Sequence, residues 1–352
     1  MARYRRYLES DVLTEAKARL RHIYDLFDRV IIMFSGGKDS LVVLNLAHEI
    51  AKERGLDEVD VCFRDEELIP SNVIEFVLSY ASKEWVNMKY FAVPLESTKY
   101  ILGKTFDYVQ WCPKRKHIRK PPDIAITDGT GTIYNQYSMD GFTASFYGTG
   151  KLAFVTGIRA SESLLRYRAC VNKLNENYIT KPQEMGNYKA PSNVMLCKPI
   201  YDWEENDVFK YFYENNIEYC DIYDSQILAG SNLRVATPLH AEASKRIHHL
   251  KAIDPVFYEQ VVDIFPEMRL QERYYSDYNR QADIEKYGKS YRGVENWIIK
   301  NLSYDKEVLA KAIKAYKRAK KLTVNNPESY PPEYVLKYFM GGNYVKRDIM
   351  PK

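Results

Sequence analysis

A polar run, SGGKDS at residues 35–40, interrupts a long apolar stretch near the start of the chain. Gly36 and Gly37 permit backbone geometry in which successive N–H groups converge on an anion. Lys38 adds a full positive charge, and the N-terminus of a following helix adds the positive end of its dipole. Asp39 could hold a magnesium ion through water. Two hydroxyl donors for phosphate oxygens complete the set: Ser35 and Ser40. The run predicts a polyphosphate-binding loop at a strand-to-helix junction.

A second set of charged residues lies in VTGIRASESLLR, residues 155–166. Arg159 follows an apolar strand and Gly157, so its guanidinium should emerge at the carboxyl edge of a sheet. There it could grip a phosphate group with two hydrogen bonds. Glu162 and Arg166 follow on one helix face, where Glu162 can orient either arginine. The set predicts a ligand-binding group, and the alternative is an ordinary surface ion pair.

These side chains need a sheet whose strand ends lie together, and the chain has the corresponding pattern. Apolar runs predict buried strands at 30–34, 59–63, 86–93, 152–157 and 194–200. Helical spacing separates them, with one helix at about 40–54, one after Pro70, and one capped by Asp202 or Trp203. The alternation predicts an α/β fold with a doubly wound, mostly parallel five-stranded sheet.

Asp65 comes directly after the second predicted strand. Open parallel sheets bind their ligands outside the carboxyl ends of the strands. We therefore take Asp65 as a candidate partner for magnesium or a ribose, with the N-cap of the next helix as the alternative role.

The predicted elements divide the chain into three parts. An N-terminal helix occupies 1–27, and the α/β domain occupies 28–235. Within that domain, a stretch at about 95–150 lacks the strand–helix pattern and is too long for an ordinary connection, so it predicts a functional insertion. Residues 236–352 have helical patterns only and predict a helical C-terminal region.

Several stretches resemble one superfamily. The strand followed by SGGKDS resembles the PP-loop of the adenine-nucleotide α-hydrolase superfamily, and it differs from a Walker A loop, which needs GxxxxGK[ST]. VTGIRASESLLR is similar to the TGxRxxES element of the phosphoadenosine-phosphosulfate (PAPS) reductase branch. CKPIYDWEENDVFKYF, residues 197–212, looks like that branch's PI-x-x-W-x-x-x-D-V-x-x-Y segment. RDEELIP at 64–70 and WCPKRKHIRKPP at 111–122 resemble the branch more loosely.

The resemblance implies a HUP/PP-loop type fold that binds ATP or a PAPS- or APS-like sulfonucleotide. The superfamily's shared reaction is cleavage between the α- and β-phosphates, with pyrophosphate held in the loop and an adenylated intermediate passed to an acceptor. Carried onto this chain, the catalytic residues would be Lys38, Asp39 and Arg159, with magnesium at Asp39. The implied nucleotide-binding residues are Ser35, Gly36, Gly37, Lys38, Asp39, Ser40, Asp65, Gly157, Arg159, Glu162 and Arg166.

The whole sequence, with its tyrosine-rich insertion and helical tail, looks most like PAPS-reductase-like proteins of phages and mobile elements. That group includes IbrA-type regulators, which are encoded beside a ParB-like partner. The resemblance implies an ATP pyrophosphatase or adenylyltransferase that serves nucleic-acid modification or regulation. The alternative is a non-catalytic, nucleotide-dependent transcriptional coactivator or DNA-associated protein with a ParB-like partner.

Cysteine usage argues against the thiol chemistry of the branch. Its sulfonucleotide reductases attack with a cysteine in a C-terminal segment, whereas the last cysteine of this chain is Cys220. A phosphoadenylyl-sulfate reductase is therefore the least favoured activity, unless Cys220 has been recruited. An iron–sulfur cluster needs about four clustered cysteines, and the five cysteines here lie far apart in the sequence. We expect no iron–sulfur cluster.

The net charge is only +4, but two local runs are basic. One spans 114–120 in the insertion, and the other spans 311–321 near the end of the chain. Each is either a solvated face or a surface for phosphate groups, and the second possibility predicts DNA binding without sequence specificity. The apolar runs are too short to cross a membrane, and the start of the chain has no signal-peptide pattern. We therefore expect a cytoplasmic protein.

Overall fold

A computed structural model describes residues 9–127, 130–171, 178–184, 188–231, 233–275, 280–342, 344 and 349–352. The chain divides into two compact units. The first unit contains the residues up to 97, 108–238 and 249–264, and the second contains 98–107, 239–248 and 265 onward. No described helix is long and apolar enough to span a membrane.

The strands of the described residues are β1 Arg29–Met33, β2 Val59–Arg64, β3 Val86–Phe91, β4 Leu95–Ile101, β5 Lys104–Gln110, β6 Ala125–Ile126, β7 Leu152–Val155, β8 Ile179–Thr180 and β9 Val194–Cys197. Seven of them form one sheet in the order β6-β3-β2-β1-β7-β9-β8. Every pair in it is parallel except β8 with β9. Strands β4 and β5 form a separate two-stranded sheet.

The α/β fold with a mostly parallel sheet confirms the predicted fold class, and the predicted strands correspond to β1, β2, β3, β7 and β9. The count of five strands was too low. The edge strands β6 and β8 are only two residues long, so they leave no periodic signal in the sequence.

Strand order places a topological switch point between β1 and β7. The chain proceeds from β1 to β2 and β3 on one side, and β7 returns to pair with the other side of β1. The register aligns Ile32 of β1 with Val155 of β7, so these two strands end side by side. A crevice outside the carboxyl ends of the strands at such a point is the usual ligand site of open α/β sheets.

The helices of the first unit are α1 Val12–Leu26, α2 Lys38–Glu53, α3 Ser71–Ala81, α4 Ser138–Ser145, α5 Leu164–Val171, α6 Glu205–Glu214 and α7 Ile222–Leu228. After the short helix α8 Ala241–Ser244 and α9 Ile247–Ile253, helix α10 Pro255–Ile264 belongs to the first unit again. Glu204 is the N-cap of α6, so the predicted cap at Asp202 or Trp203 was one or two residues too early.

The second unit has its own helical core. Its larger helices are α11 Met268–Tyr274, α12 Arg280–Tyr287, α13 Tyr291–Leu302, α14 Lys306–Asn325 and α15 Pro332–Met340. Trp297, Tyr316 and Phe339 are buried together in this core. The second unit therefore buries enough apolar surface to form a compact body of its own.

The two units do not follow the predicted domain boundaries. Helix α1 is part of the first unit and not a separate element, because its apolar face at Ala16, Leu20 and Ile23 is fully buried in the core of that unit. Residues 249–264 belong to the first unit, and residues 98–107 to the second. The boundaries differ because they depend on tertiary packing. Local periodicity indicates whether a segment is helical or extended, but not which hydrophobic core the segment packs against.

Candidate functional site

The loop after β1 has a backbone that only glycine accepts at its tightest position. Gly36 has φ +73°, in the left-handed region. A Cβ atom there would lie 2.8 Å from Val77 Cγ2 and 3.0 Å from Val73 Cγ1 of α3. Residues with a side chain resist both the conformation and the contact. The turn therefore depends on Gly36.

Serine hydroxyls hold the loop in shape. The Ser35 N–H donates to Ser40 Oγ at 3.1 Å, and Ser40 Oγ donates to the Gly37 carbonyl at 2.9 Å. Helix α2 begins at the next residue, so its first N–H groups have no intrahelical acceptors. Within the described residues, the N–H groups of Gly36 and Asp39 have no hydrogen-bond acceptor. Such a braced turn at a helix N-terminus is a ready anion site.

Lys38 is buried at the start of α2, with only 3% of its side chain exposed. Its Nζ lies 3.1 Å from the Leu233 carbonyl, 3.3 Å from Asp39 Oδ2 and 3.4 Å from Glu205 Oε2. The Lys38 N–H donates to Tyr223 Oη at 2.8 Å. Burial raises the pKa of Tyr223, so its hydroxyl remains protonated and neutral. Segments far along the chain therefore close over the loop.

The loop after β7 packs directly on the first turn of α2. A Cβ atom at Gly157 would lie 2.5 Å from the Asp39 carbonyl carbon, 2.6 Å from its oxygen and 2.6 Å from Ser40 N. This close approach brings Arg159 to Asp39, where Arg159 Nε donates to Asp39 Oδ1 at 2.6 Å. Only 4% of the Arg159 side chain is exposed. The two predicted motifs thus form one site through a backbone contact that only glycine permits.

Neighbouring residues in the chain, Ser161 and Glu162, also contact Arg159. Residues Ala160–Glu162 form a 3-10 turn, and the Arg159 N–H donates to Glu162 Oε2 at 3.4 Å. Nη1 donates to Ser161 Oγ at 3.3 Å, while Nη2 lies 4.0 Å from carboxylate oxygens of Glu162 and Glu205. The guanidinium is therefore fixed in direction before any ligand binds.

Arg166 adds further positive charge on α5. It pairs with Glu162, as predicted. Burial lowers the pKa of Arg166, and the positive charges of Arg234 and Arg159 lower it further, against an opposing effect from Asp39. Burial and neighbouring positive charges both disfavour the charged form of an arginine. The surroundings of Arg166 therefore favour an added anion.

The loop, Arg166 and Arg234 line one pocket of the first unit, with a cavity volume of about 230 Å³. Its lining consists of Met33, Ser35, Gly37, Lys38, Asp39, Ser40, Thr156, Gly157, Ile158, Glu162, Arg166, Tyr223, Leu233, Arg234 and Val235. Most of the predicted nucleotide-binding residues are thus brought together; buried Arg159 lies behind this surface, bonded to Asp39.

Asp65 does not line the pocket. Its two carboxylate oxygens accept from Arg119 Nη2 at 2.6 and 2.7 Å, and Tyr90 Oη and the Glu67 N–H donate to them at 2.5 and 2.8 Å. The side chain is fully buried. Asp65 is not the cap of α3 either, because Pro70 holds that position. In this structure Asp65 therefore neither faces the pocket nor caps α3. It accepts hydrogen bonds in a buried polar network.

The basic run at 114–120 is partly used inside the protein. Arg115 Nη1 donates to buried Glu67 Oε1 at 2.6 Å, and Arg119 binds Asp65 as described above. Lys116 Nζ donates to Asp263 Oδ2 at 2.6 Å. These three cations are paired with carboxylates, and the predicted alternative of a surface for phosphate groups at this run stays a prediction. The run attaches the insertion to the carboxyl end of β2.

The cysteines are all free thiols, and four of them are buried: Cys62, Cys170, Cys197 and Cys220. Burial raises the pKa of Cys62 and Cys220 to about 11 and that of Cys197 to about 12. Within the described part of the chain, no three His, Cys, Asp or Glu side chains are grouped to hold a metal ion. The expectation about an iron–sulfur cluster remains a prediction.

Three contacts of the site had no signal in the sequence: Glu205, Tyr223 and the segment Leu233–Val235. Tyr223 reaches Lys38 from 185 positions further along the chain. Glu205 does lie in the stretch with the WEENDV pattern, but nothing in that pattern assigns it to the loop.

Comparisons with known proteins identify the family of the chain. The phosphoadenosine phosphosulfate reductase domain model matches residues 29–276. The uncharacterized protein YbdN of Escherichia coli is 27% identical over 269 residues, which cover 72% of this chain and 65% of YbdN. The uncharacterized protein MJ0973 of Methanocaldococcus jannaschii is 24% identical over 244 residues, which cover 66% of this chain and 46% of that protein. The chain thus spans less than two thirds of either relative.

Two solved structures are distantly similar. The PAPS reductase of Candida auris, a phosphate complex, has 14% identity and a TM-score of 0.36, over 60% of this chain and 84% of that chain. The FMN adenylyltransferase of Candida glabrata, in complex with FMN and the ATP analog AMPCPP, has 13% identity and a TM-score of 0.39, over 62% and 63%. The family assignment does not depend on them. Because the domain model covers most of the chain and both of its charged motifs, the protein belongs to the phosphoadenosine phosphosulfate reductase domain family.

Proposed function

We propose that this protein binds ATP with the polyphosphate in the loop at residues 35–40 and cleaves it between the α- and β-phosphates. The adenylyl group would then pass to an acceptor. A PAPS-like nucleotide, which carries sulfate on its α-phosphate and has no β-phosphate to release, is the alternative ligand of the same loop. One observation carries the proposal: Gly157 packs on the start of α2 and places Arg159 against Asp39, beside unpaired N–H groups of the loop.

The electrostatics of the pocket suit a ligand with several negative charges. The loop N–H groups and Lys38 would hold the β- and γ-phosphates, which leave as pyrophosphate. Arg159 follows β7, the strand that pairs with β1, and would contact the α-phosphate from the side opposite the loop. A guanidinium fixed in advance stabilises the charge that develops as the bond to the leaving group breaks. Arg166 and Arg234 line the same pocket and would add electrostatic attraction for the phosphates.

Asp39 contacts two cations of the site directly, and its predicted contact with magnesium through water stays a proposal. Its Oδ1 accepts from Arg159 at 2.6 Å, and its Oδ2 lies 3.3 Å from Lys38 Nζ. Both oxygens are therefore directed at cations of the site, so a magnesium ion fits Asp39 only through water. We assign Asp39 to orienting these two cations, and magnesium would supply charge neutralisation from the nucleotide's side.

The geometry disfavours the thiol-dependent reductase. Cys220 is buried, and its pKa is raised to about 11, so the thiol is protonated at neutral pH. The thiolate is the nucleophile in such chemistry. The non-catalytic regulator, with the IbrA-type resemblance and a ParB-like partner, remains the alternative proposal. Release of pyrophosphate from ATP separates the two, because a regulator binds the nucleotide without turnover.

The first test replaces the loop cation. Lys38→Ala should weaken ATP and pyrophosphate binding by about 1.5–3 kcal/mol, as expected for a lost charged hydrogen bond. The matched control is Lys52→Ala, which removes an exposed lysine from the last turn of the same helix. Calorimetry should show unchanged affinity for the control. Equal affinity of wild type and Lys38→Ala would refute the proposed function.

A second candidate function, DNA binding, is favoured by the surface of α14. The helix carries many exposed cations but one acid, Glu307, whose Oε1 lies 2.6 Å from Lys311 Nζ. The exposed cations are Lys306, Lys311, Lys314, Lys317, Arg318, Lys320 and Lys321. A phosphate backbone is the polyanion that such a helix suits, with affinity but without base readout. A cytoplasmic location is part of this proposal.

The test of DNA binding is its salt dependence. With about 4–6 phosphate contacts, affinity for duplex DNA should fall by two or more decades between roughly 50 and 200 mM salt. The variant with alanine at Lys314, Lys317, Arg318 and Lys321 should flatten that slope and leave ATP affinity unchanged. Absence of a retarded band at micromolar protein and about 50 mM salt would exclude this function.

A further inference from the structure

Glu205 differs from the other acids of the site. It is the first residue of α6, and its Oε2 lies 3.4 Å from Lys38 Nζ and 4.0 Å from Arg159 Nη2. About half of its side chain is exposed, at 49%, whereas the two cations are almost completely buried, at 3% and 4%. A solvent-facing carboxylate therefore lies over the two cations that the proposed function assigns to phosphate groups.

Other groups contact the two cations besides Glu205. Asp39 lies nearer to both, at 2.6 Å from Arg159 Nε and 3.3 Å from Lys38 Nζ. Lys38 Nζ also donates to the Leu233 carbonyl, and Glu162 Oε1 lies 4.0 Å from Arg159 Nη2. Glu205 is the most exposed of these acids. Because about half of the Glu205 side chain faces water, solvent screens its attraction to the two buried cations.

The start of a helix gives an acid an ordinary role, which must be separated from a functional one. A carboxylate in the first turn interacts favourably with the helix dipole. Glu204 and Asp207 already provide the capping box of α6, however: Asp207 Oδ2 accepts from the Glu204 N–H at 2.7 Å. The dipole also does not require a first-turn carboxylate to lie over cations of another helix. Capping therefore does not explain the contacts of Glu205, and its carboxylate would repel an anion that approaches Lys38.

We propose that the Glu205 carboxylate is a displaceable counter-ion, which competes with the phosphates of the nucleotide for Lys38 and Arg159. This inference rests on the proposed function. When a phosphate group occupies the two cations, like charges repel, and the exposed side chain rotates into water while α6 stays in place. Glu205 thus lowers the affinity for polyphosphate and favours its release after cleavage.

The test is a gain in affinity. Glu205→Gln keeps the size of the side chain and removes its charge, and calorimetry with ATP and with pyrophosphate at low salt should show a dissociation constant about two- to fivefold smaller. The matched control is Glu214→Gln at the other end of α6, where Glu214 is exposed and lies 3.6 Å from Lys210. It makes the same change in net charge, and its dissociation constant should equal that of wild type.

Two further variants locate the effect. Glu205→Asp retains the charge but withdraws it by one methylene group, so its affinity should fall between wild type and Glu205→Gln. In the Lys38→Ala background the gain from Glu205→Gln should shrink, because one of the two cations that Glu205 shares with phosphate is gone. Such non-additivity is expected only for groups that act on each other.

The outcomes separate this inference from the proposed function. If Lys38→Ala weakens binding while Glu205→Gln leaves affinity unchanged or lowers it, the counter-ion role is wrong and the proposed function stands. If Glu214→Gln tightens binding equally, the effect is one of net charge and the counter-ion role is again wrong. If Lys38→Ala binds like wild type, the proposed function itself fails.

Discussion

A single methyl group at Gly157 tests the geometry on which the site depends. In Gly157→Ala the new Cβ would lie 2.5 Å from the Asp39 carbonyl carbon, 2.6 Å from its oxygen and 2.6 Å from Ser40 N. All three are backbone atoms of the first turn of α2, so no flexible side chain can move aside. Ordinary contact begins near 3.4 Å. The two backbones must therefore separate by roughly 1 Å in a close-packed interior.

The size of the effect follows from that separation. Overpacking of this kind destabilises by about 1–3 kcal/mol. At about 2–4 °C per kcal/mol for a domain of this size, the melting temperature should fall by about 2–12 °C. The loop also moves relative to Arg159, so at least one charged hydrogen bond to the phosphates should be lost, at a cost of about 1.5–3 kcal/mol. We expect ATP affinity to fall by at least about tenfold, measured by calorimetry below the melting transition.

The matched control is Gly141→Ala in α4. A Cβ there would meet only Pro191 Cγ, at 3.7 Å, which is ordinary contact. Alanine in a helix interior is more stable than glycine by up to about 1 kcal/mol, so this variant should melt at or above the wild-type temperature and bind ATP unchanged. Gly157→Ala with wild-type melting temperature and wild-type ATP affinity would refute the claim that this backbone contact assembles the site.

Two further predictions concern the reaction. Arg159→Lys keeps the positive charge but loses the fixed guanidinium, so kcat for pyrophosphate release should fall by about 10²-fold or more with a modest change in KM; full turnover would make Arg159 structural only. With PAPS and thioredoxin we expect no sulfite at an enzymatic rate, because the Cys220 thiol is buried and protonated. Sulfite formation that Cys220→Ser abolishes would overturn this expectation.

The sequence predicted the parts of the structure that depend on local order. The predicted strands β1, β2, β3, β7 and β9 are mostly apolar runs, and the serine hydroxyls of SGGKDS brace its own turn before α2. Arg159 reached the loop as expected, because parallel strands that pair side by side present their following residues at one edge. Periodicity and turn chemistry are properties of neighbours in the chain, so one sequence suffices to find them.

Interactions between distant segments could not be predicted in this way. Asp65 at a strand end has the same local pattern whether it faces a ligand or the interior, and only the folded insertion brings Arg119 to it. Tyr223 is one of 30 tyrosines in the chain, and its contact with Lys38 joins residues 185 positions apart. The same limitation explains the domain boundaries, since residues 249–264 have an ordinary helical pattern.

The charge balance of the site indicates what kind of ligand it can hold. The described pocket lining contains the cations Lys38, Arg166 and Arg234 and the acids Asp39 and Glu162, and buried Arg159 is bonded to Asp39. Once Glu205 has rotated into water, these four cations exceed the two acids by two charges. A ligand with a single negative charge would leave part of that excess unpaired in a partly buried site, whereas a polyphosphate would compensate it. The counter-ion role of Glu205 and the preference for polyphosphate are therefore two consequences of the same arrangement of charges.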